Sequence, residues 1–210
     1  MTQRRRSKRR TTPRRTPGHQ AGGQIRLIGG DWRGHKLPVL SADGLRPTSD
    51  RVRETLFNWL QFELPGSQLL DAFAGTGALG LEALSRGAQS VTLVEAFAPA
   101  AAQLQANLAR LPGASERATV LQRSVLDWLA SSRPNDRAPF DGVFLDPPFE
   151  QGLMQPTLNA LFQNNWLSDQ AWLYLEQEKH LDWPVLLQGW ALVKEKTTSQ
   201  VRFGLVKKDV

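Results

Sequence analysis

Cysteine is absent from the 210 residues, which excludes disulfides, Cys-ligated zinc, iron–sulfur clusters and any thiol nucleophile. Acidic residues are absent from residues 1–24, where eight basic ones stand: Arg4, Arg5, Arg6, Lys8, Arg9, Arg10, Arg14 and Arg15. The whole chain carries 26 basic and 20 acidic residues for a net charge of +6, so the part beyond residue 24 keeps 18 against 20, or −2. The positive charge is thus an appendage, as for a flexible arm that meets a polyanion. No run approaches the roughly 20 apolar residues of a membrane span. The basic N-terminus is not followed by an apolar core, so neither anchor nor secretion signal is expected and the location should be cytoplasmic. A transit peptide can also be Arg-rich and acid-free, but with Met1 as its only sizeable apolar side chain this tail cannot form an amphipathic helix. Three His residues (His19, His35, His180) show no metal-like spacing, and no metal site is expected.

With 40% hydrophobic residues in 23.4 kDa, the chain can bury one sizeable core plus a tail. Residues 1–24 combine Arg, Thr, Pro and Gly with almost nothing to bury and read as disordered. Residues 25–65 read as an accessory layer: a hairpin from Ile25–Ile28 and Trp32–Leu37 around Gly29-Gly30, then a helix capped by Ser49 or Asp50 with Val52, Leu56, Trp59 and Leu60 on one face. Residues 66–210 alternate strand and helix. Strands are expected at 68–72, 91–95, 118–122, 140–145 and 172–176, with helices at 78–86, 99–111, near 125–129 and near 156–162. This predicts a mostly parallel α/β sheet. Residues 190–196 and 201–206, separated by Thr197-Thr198-Ser199-Gln200, end it with an antiparallel hairpin.

Leu69-Leu70-Asp71-Ala72-Phe73-Ala74-Gly75-Thr76-Gly77-Ala78-Leu79-Gly80 reads as a buried strand ending in a glycine-rich turn that opens a helix. Such a turn lets backbone approach a ligand where a Cβ would block it. Gly75, Gly77 and Gly80 also fit the dinucleotide fingerprint, with Glu95 about 20 residues on as the ribose-binding acid. Against a dehydrogenase stands Asp71, placed before the glycines to accept from an amino acid's ammonium, which a nicotinamide cofactor does not offer. Ser124 and Val125, after the third strand, are placed to meet an adenine.

Asp146-Pro147-Pro148-Phe149 ends a second apolar segment and has no role in hydride transfer. An aromatic amine is a poor nucleophile because its lone pair is delocalised; carboxylate and Pro carbonyl acceptors on its N–H groups can turn that lone pair toward an electrophile. Consecutive prolines stiffen the clamp, and Phe149 can stack on the base. Together the two motifs describe a methyl-transfer site working by positioning and polarity. Without cysteine, transfer through a covalent Cys adduct or a cluster-derived radical is excluded, leaving direct transfer to nitrogen or oxygen.

Leu70–Gly80, Val91–Glu95 and Asp146–Phe149 resemble the motifs of class I S-adenosylmethionine-dependent amino-methyltransferases, with a Rossmann-like seven-stranded sheet. More narrowly, Ile25–Gly34, Leu45–Leu60 and Ala72–Gly77 resemble the bacterial RsmD family, which methylates the exocyclic N2 amine of one guanine in 16S ribosomal RNA. The resemblance covers nearly everything from Gln24 onward. It implies S-adenosyl-L-methionine as cofactor, held by Asp71, Ala72, Phe73, Gly75, Gly77, Glu95, Ser124 and Val125, with Asp146, Pro147, Pro148 and Phe149 as the catalytic clamp. The partner is 16S rRNA in an assembling small-subunit particle, and a monomer is expected. Arg26, Arg33, Lys36, Arg46, Arg51 and Arg53 cluster in the accessory layer as candidate phosphate contacts. An adenine-N6 methyltransferase acting on DNA or RNA would use the same clamp, and a ribosome-assembly RNA-binding protein could keep the fold without turnover.

Overall fold

The computed structural model describes residues 23–40 and 48–209. Most of the Arg-rich segment, and Arg46 among the candidate RNA contacts, lie outside them. Five strands, β3 (Gln68–Asp71), β4 (Ser90–Glu95), β5 (Ala118–Gln122), β6 (Phe140–Leu145) and β7 (Leu167–Glu178), pair in parallel; β8 (Trp190–Thr197) and β9 (Val201–Lys208) close the sheet antiparallel, in the order β5-β4-β3-β6-β7-β9-β8. This is the mostly parallel sheet with a terminal antiparallel hairpin that the alternating pattern predicts, with the seven strands that the resemblance implies. Strand order reverses between β3 and β6, a switch point that opens a crevice beyond the strands' C-terminal ends.

Helices cover both faces, so the central strands are apolar on both sides rather than alternating. Leu69, Phe144, Trp172 and Tyr174 face one buried cluster with α2 (Ala78–Ser85) and α3 (Ala98–Leu108), while Leu70, Val143, Leu173 and Leu175 face another with α5 (Val125–Leu129) and α6 (Met154–Gln163). A one-turn helix, α4 (Ala114–Arg117), follows Gly113, where the sequence gives only a helix stop. Strand β7 begins five residues earlier than its apolar run, because its exposed or half-buried first residues hide the strand from a hydrophobic pattern and its pairing with β6 is irregular between Phe140 and Gly142.

The N-terminal layer packs into the first of these clusters. Strands β1 (Gln24–Arg26) and β2 (Lys36–Pro38) pair antiparallel, Ile25 opposite Leu37. They are shorter than the apolar pattern suggests because Trp32 is drawn into the core and Asp31–Gly34 forms a turn, with the Gly34 N–H donating to the Leu27 carbonyl at 2.8 Å. Helix α1 (Asp50–Trp59) is capped by Ser49, whose Oγ accepts from the Val52 N–H, and buries Val52, Leu56 and Phe57, with Leu60 buried just beyond.

Fully buried Glu82 of α2 fastens this layer. Its carboxylate accepts from the Ile28 and Gly29 N–H groups, both at 2.8 Å, and from Arg86 Nε at 2.7 Å, with Arg53 Nη1 3.7 Å away. Gly30, at φ +73°, presses so closely on this helix that a Cβ there would sit 1.7 Å from the Ser85 carbonyl oxygen.

Candidate active site

The β3 strand delivers Asp71 to the crevice, and Gly77, at φ +80°, ends the following loop as the N-cap of α2. Asp71 Oδ2 accepts from the Gly80 N–H at 2.9 Å, while Glu95 at the end of β4 accepts from the Gly75 N–H at 2.8 Å and the Phe97 N–H at 2.7 Å. Two carboxylates thus brace the glycine turn from neighbouring strands. A cavity of about 1260 Å³ opens over it. Since ordinary small-molecule pockets run to about 1,000 Å³, there is room for two ligands side by side.

Asp71, Ala72, Phe73, Gly75, Glu95, Ser124 and Val125 all line that cavity. Gly77 instead stands behind the loop, where a Cβ would come within 2.5 Å of Leu104 and 2.9 Å of Leu81; its part is to shape the turn. Ser124 caps α5, its Oγ accepting from the Asp127 N–H at 3.3 Å, so its side chain serves the helix as well as the wall.

Opposite the glycine turn, β6 delivers Asp146, Pro147, Pro148 and Phe149 to the same cavity. Thr48, just before α1, donates its hydroxyl to Asp146 Oδ2 at 3.0 Å. Glu150, directly after the motif, donates its N–H to Glu178 Oε1 at 2.7 Å, tying the clamp to β7. Pro147 is buried, and Phe149 is 36% exposed at the mouth, where an incoming ring could lie on it.

Burial pushes the Asp71 carboxyl up to about 7, with the neighbouring Asp146 and Glu95 carboxylates adding to the shift and the Gly80 N–H opposing it. Burial also pushes Asp146 up to about 7, against the hydrogen bond from Thr48. A wall on which carboxylates are held against desolvation favours a cationic ligand. A sulfonium and an ammonium on one small molecule fit it, and the close backbone at the glycine turn and the acceptors at Asp71 and Glu95 fit an amino-acid end and a ribose. Among the described residues no group of three or more His, Cys, Asp or Glu could hold a metal ion.

The candidate RNA contacts divide. Arg26, Arg33, Lys36 and Arg51 are exposed, and Arg51 also lines the cavity. Arg53 does not belong with them: it is 1% exposed, its Nη2 donating to the Arg26 carbonyl at 2.9 Å and to Asp50 Oδ1 at 2.5 Å. It is a structural cation locked beneath the layer. The sequence reading missed Thr48, Arg123, Glu176 and the β8–β9 turn from Lys196 to Val201, all of which line the cavity. The turn was visible as a hairpin, but nothing local says that an antiparallel return brings it back over the site.

Residues 25–207 match the family model described as Conserved hypothetical protein 95. Ribosomal RNA small subunit methyltransferase D of Haemophilus influenzae is 50% identical over 186 residues, covering 88% of this chain and 94% of that protein. Its Escherichia coli K12 counterpart is 47% identical over 193 residues, covering 92% and 94%. A solved structure described as the putative methyltransferase yhhF from Escherichia coli superposes with a TM-score of 0.81 at 45% identity, covering 89% of this chain and 99% of that one. Given a family model spanning most of the chain and relatives near half identity over nearly their whole length, the protein belongs to the RsmD family of ribosomal RNA small subunit methyltransferases.

Proposed function

We propose that the protein moves a methyl group from S-adenosyl-L-methionine to the exocyclic N2 amine of a guanine in 16S rRNA, presented in an assembling small-subunit particle. The observation that carries this reading is the convergence of the glycine turn after β3 and the Asp146–Phe149 clamp after β6 on one cavity large enough for cofactor and base together. The names of the relatives supply the RNA class.

In this reading Asp71 receives the ammonium, Glu95 the ribose diol, and Ser124 and Val125 flank the adenine, with Ala72, Phe73 and Gly75 along the cofactor's length. Bound there, the cofactor would supply an electrophilic methyl, its carbon–sulfur bond exchanged for the new nitrogen–carbon bond and its sulfur left as a neutral thioether. Asp146 and the Pro147 carbonyl accept from the target amine and fix its lone pair toward the cofactor side. Thr48 holds Asp146 in that orientation. The amine must shed one proton, and a carboxylate raised to about 7 can take it near neutral pH. Phe149 stacks on the base, which must leave its own stack to arrive.

Phosphate contacts from Arg26, Arg33, Lys36 and Arg51, and from the basic N-terminal segment, would position the RNA without reading sequence. We take residues 25–65 as the RNA-facing layer, residues 66–210 as the methyltransferase unit, and the working state as a cytoplasmic monomer. The test is transfer of labelled methyl to small-subunit particles, free 16S RNA and duplex DNA in parallel, with the product nucleoside identified by mass spectrometry. N2-methylguanosine from particles is expected; N6-methyladenine would move the substrate, and no transfer would refute the reading.

A further inference from the structure

The clamp alone does not choose a base, since guanine, adenine and cytosine all carry an exocyclic amine. The choice must come from what meets the ring nitrogen beside that amine. Guanine presents N1–H, a donor, next to its N2 donors; adenine and cytosine each present a lone pair there.

Glu176 is a second carboxylate on the cavity that Asp146 lines. Leu145 of β6 pairs with Leu175 of β7 in parallel register, so Asp146 and Glu176 each directly follow the last paired residue, on strands about 4.8 Å apart. Glu176 is 5% exposed and lines the same cavity as Asp146. Its Oε2 accepts from the Tyr174 hydroxyl at 2.6 Å. Tyr174 is fully buried and held in its protonated form, because burial and the Glu176 and Asp146 carboxylates raise its pKa well above the ordinary value; it therefore remains a donor that fixes the carboxylate's orientation. Phe203, which pairs with Glu176 across β7 and β9, also lines the cavity and backs the same wall.

We propose that Glu176 is the specificity-determining residue of this site, its carboxylate accepting from N1–H of the target guanine while Asp146 accepts from N2–H. An ionised carboxylate only accepts. Against guanine it completes a two-donor edge; against adenine or cytosine it faces a lone pair, leaving two buried acceptors opposed. Sites built on a hydrogen bond to substrate reject analogues that lack the donor far more strongly than apolar pockets reject a change of shape. This inference rests on the guanine-N2 reading above.

The test replaces the target guanosine, once located by the transfer assay, with 2-aminopurine in reconstituted small-subunit particles. That base keeps the N2 amine but exchanges the N1–H donor for a lone pair. Wild-type protein should prefer guanine by about 100-fold in kcat/KM, and Glu176→Gln, whose amide can donate to N1, should narrow the ratio to about 10-fold or less. Cofactor affinity should stay unchanged in Glu176→Gln, which reports an intact fold, and Glu176→Asp should keep the wild-type preference. Equal loss on both bases, with the ratio unchanged, would make Glu176 structural and overturn the inference while leaving the guanine-N2 reading in place. Absence of N2-methylguanosine from wild-type particles would overturn both.

Discussion

Cofactor binding should be coupled to release of a proton from Asp71. In the cofactor-free protein its carboxyl stands at about 7, raised from 3.8 by burial and by the Asp146 and Glu95 carboxylates. An ammonium placed against it favours the ionised form and pulls the value back down. Binding then requires a deprotonated Asp71, and affinity must fall as pH drops through 7. With a free value of about 7 and the bound carboxyl driven well beneath it by the ammonium, the apparent Kd at pH 6 should be about tenfold weaker than at pH 8, and at pH 7 about half a proton should be released per cofactor bound. The same raised value has a second consequence of opposite direction. The folded protein holds this proton where the unfolded chain has lost it, so Asp71's contribution to cofactor-free stability is present below about pH 4 and is lost as pH rises toward 7. Titration calorimetry at pH 6, 7 and 8, in buffers of different ionisation enthalpy, measures both affinity and protons. Asp71→Asn should bind more weakly throughout with a much flatter pH dependence. A Kd constant between pH 6 and 8 in the wild type, or an undiminished slope in the variant, would refute the reasoning.

Asp146→Ala should abolish methyl transfer with cofactor affinity largely kept, and Phe149→Ala should lower kcat/KM on particles by about 10- to 100-fold through lost stacking, checked by single-turnover transfer. Thr48→Val removes the donor that holds Asp146 down, so the acidic limb of the pH–rate profile should move to higher pH and transfer at pH 7 fall by about tenfold. Glu82→Ala removes one of the two carboxylates facing buried Arg53 and leaves two backbone N–H groups without their acceptor, and should cost about 3–5 kcal/mol, read as a fall in Tm of roughly 10 °C by calorimetry. Deleting residues 1–20 should weaken RNA affinity and flatten its salt dependence without changing cofactor affinity; an unaltered salt slope would remove the arm's assigned role.

What was legible in the sequence is what local chemistry encodes. Strands β5 and β6 and helix α5 fall where the apolar pattern and turns put them: Pro139 stands before β6, Ser124 caps α5, and each carries a short apolar run, Val120-Leu121, Val143-Phe144-Leu145 and Val125-Leu126. The glycine turn and the Asp146–Phe149 motif were legible for a different reason: backbone approach and rigid acceptors need those residue types in that order. Arg53 is misleading in the sequence because its charge suggests an outward position although it stands one turn before buried Leu56 and Phe57, and of its two carboxylate partners only Asp50 is local, while Glu82 lies on another helix, itself hidden in an apolar stretch. Thr48, Glu176 and Lys196 are invisible as site residues because tertiary pairing alone brings them to the cavity that Asp146 lines, through α1 docking, the β6–β7 ladder and the β8–β9 return.

Those same long-range contacts explain why the N-terminal layer bears on catalysis as well as on RNA. Glu82 holds the hairpin turn through the Ile28 and Gly29 N–H groups and faces Arg53, which binds the Arg26 carbonyl. Arg53 lies on α1, and the residues entering that helix carry Thr48 to Asp146. Contact is therefore continuous from the hairpin to the catalytic carboxylate through packed, hydrogen-bonded groups. A perturbation that loosens the layer should raise Asp146 toward its protonated form by withdrawing the Thr48 donor, while Asp71 and Glu95, braced by the glycine turn on β3 and β4, stay in place. Cofactor binding and methyl transfer are in this way separable by mutation: damage at Glu82 that leaves the fold standing should reach kcat before it reaches cofactor Kd.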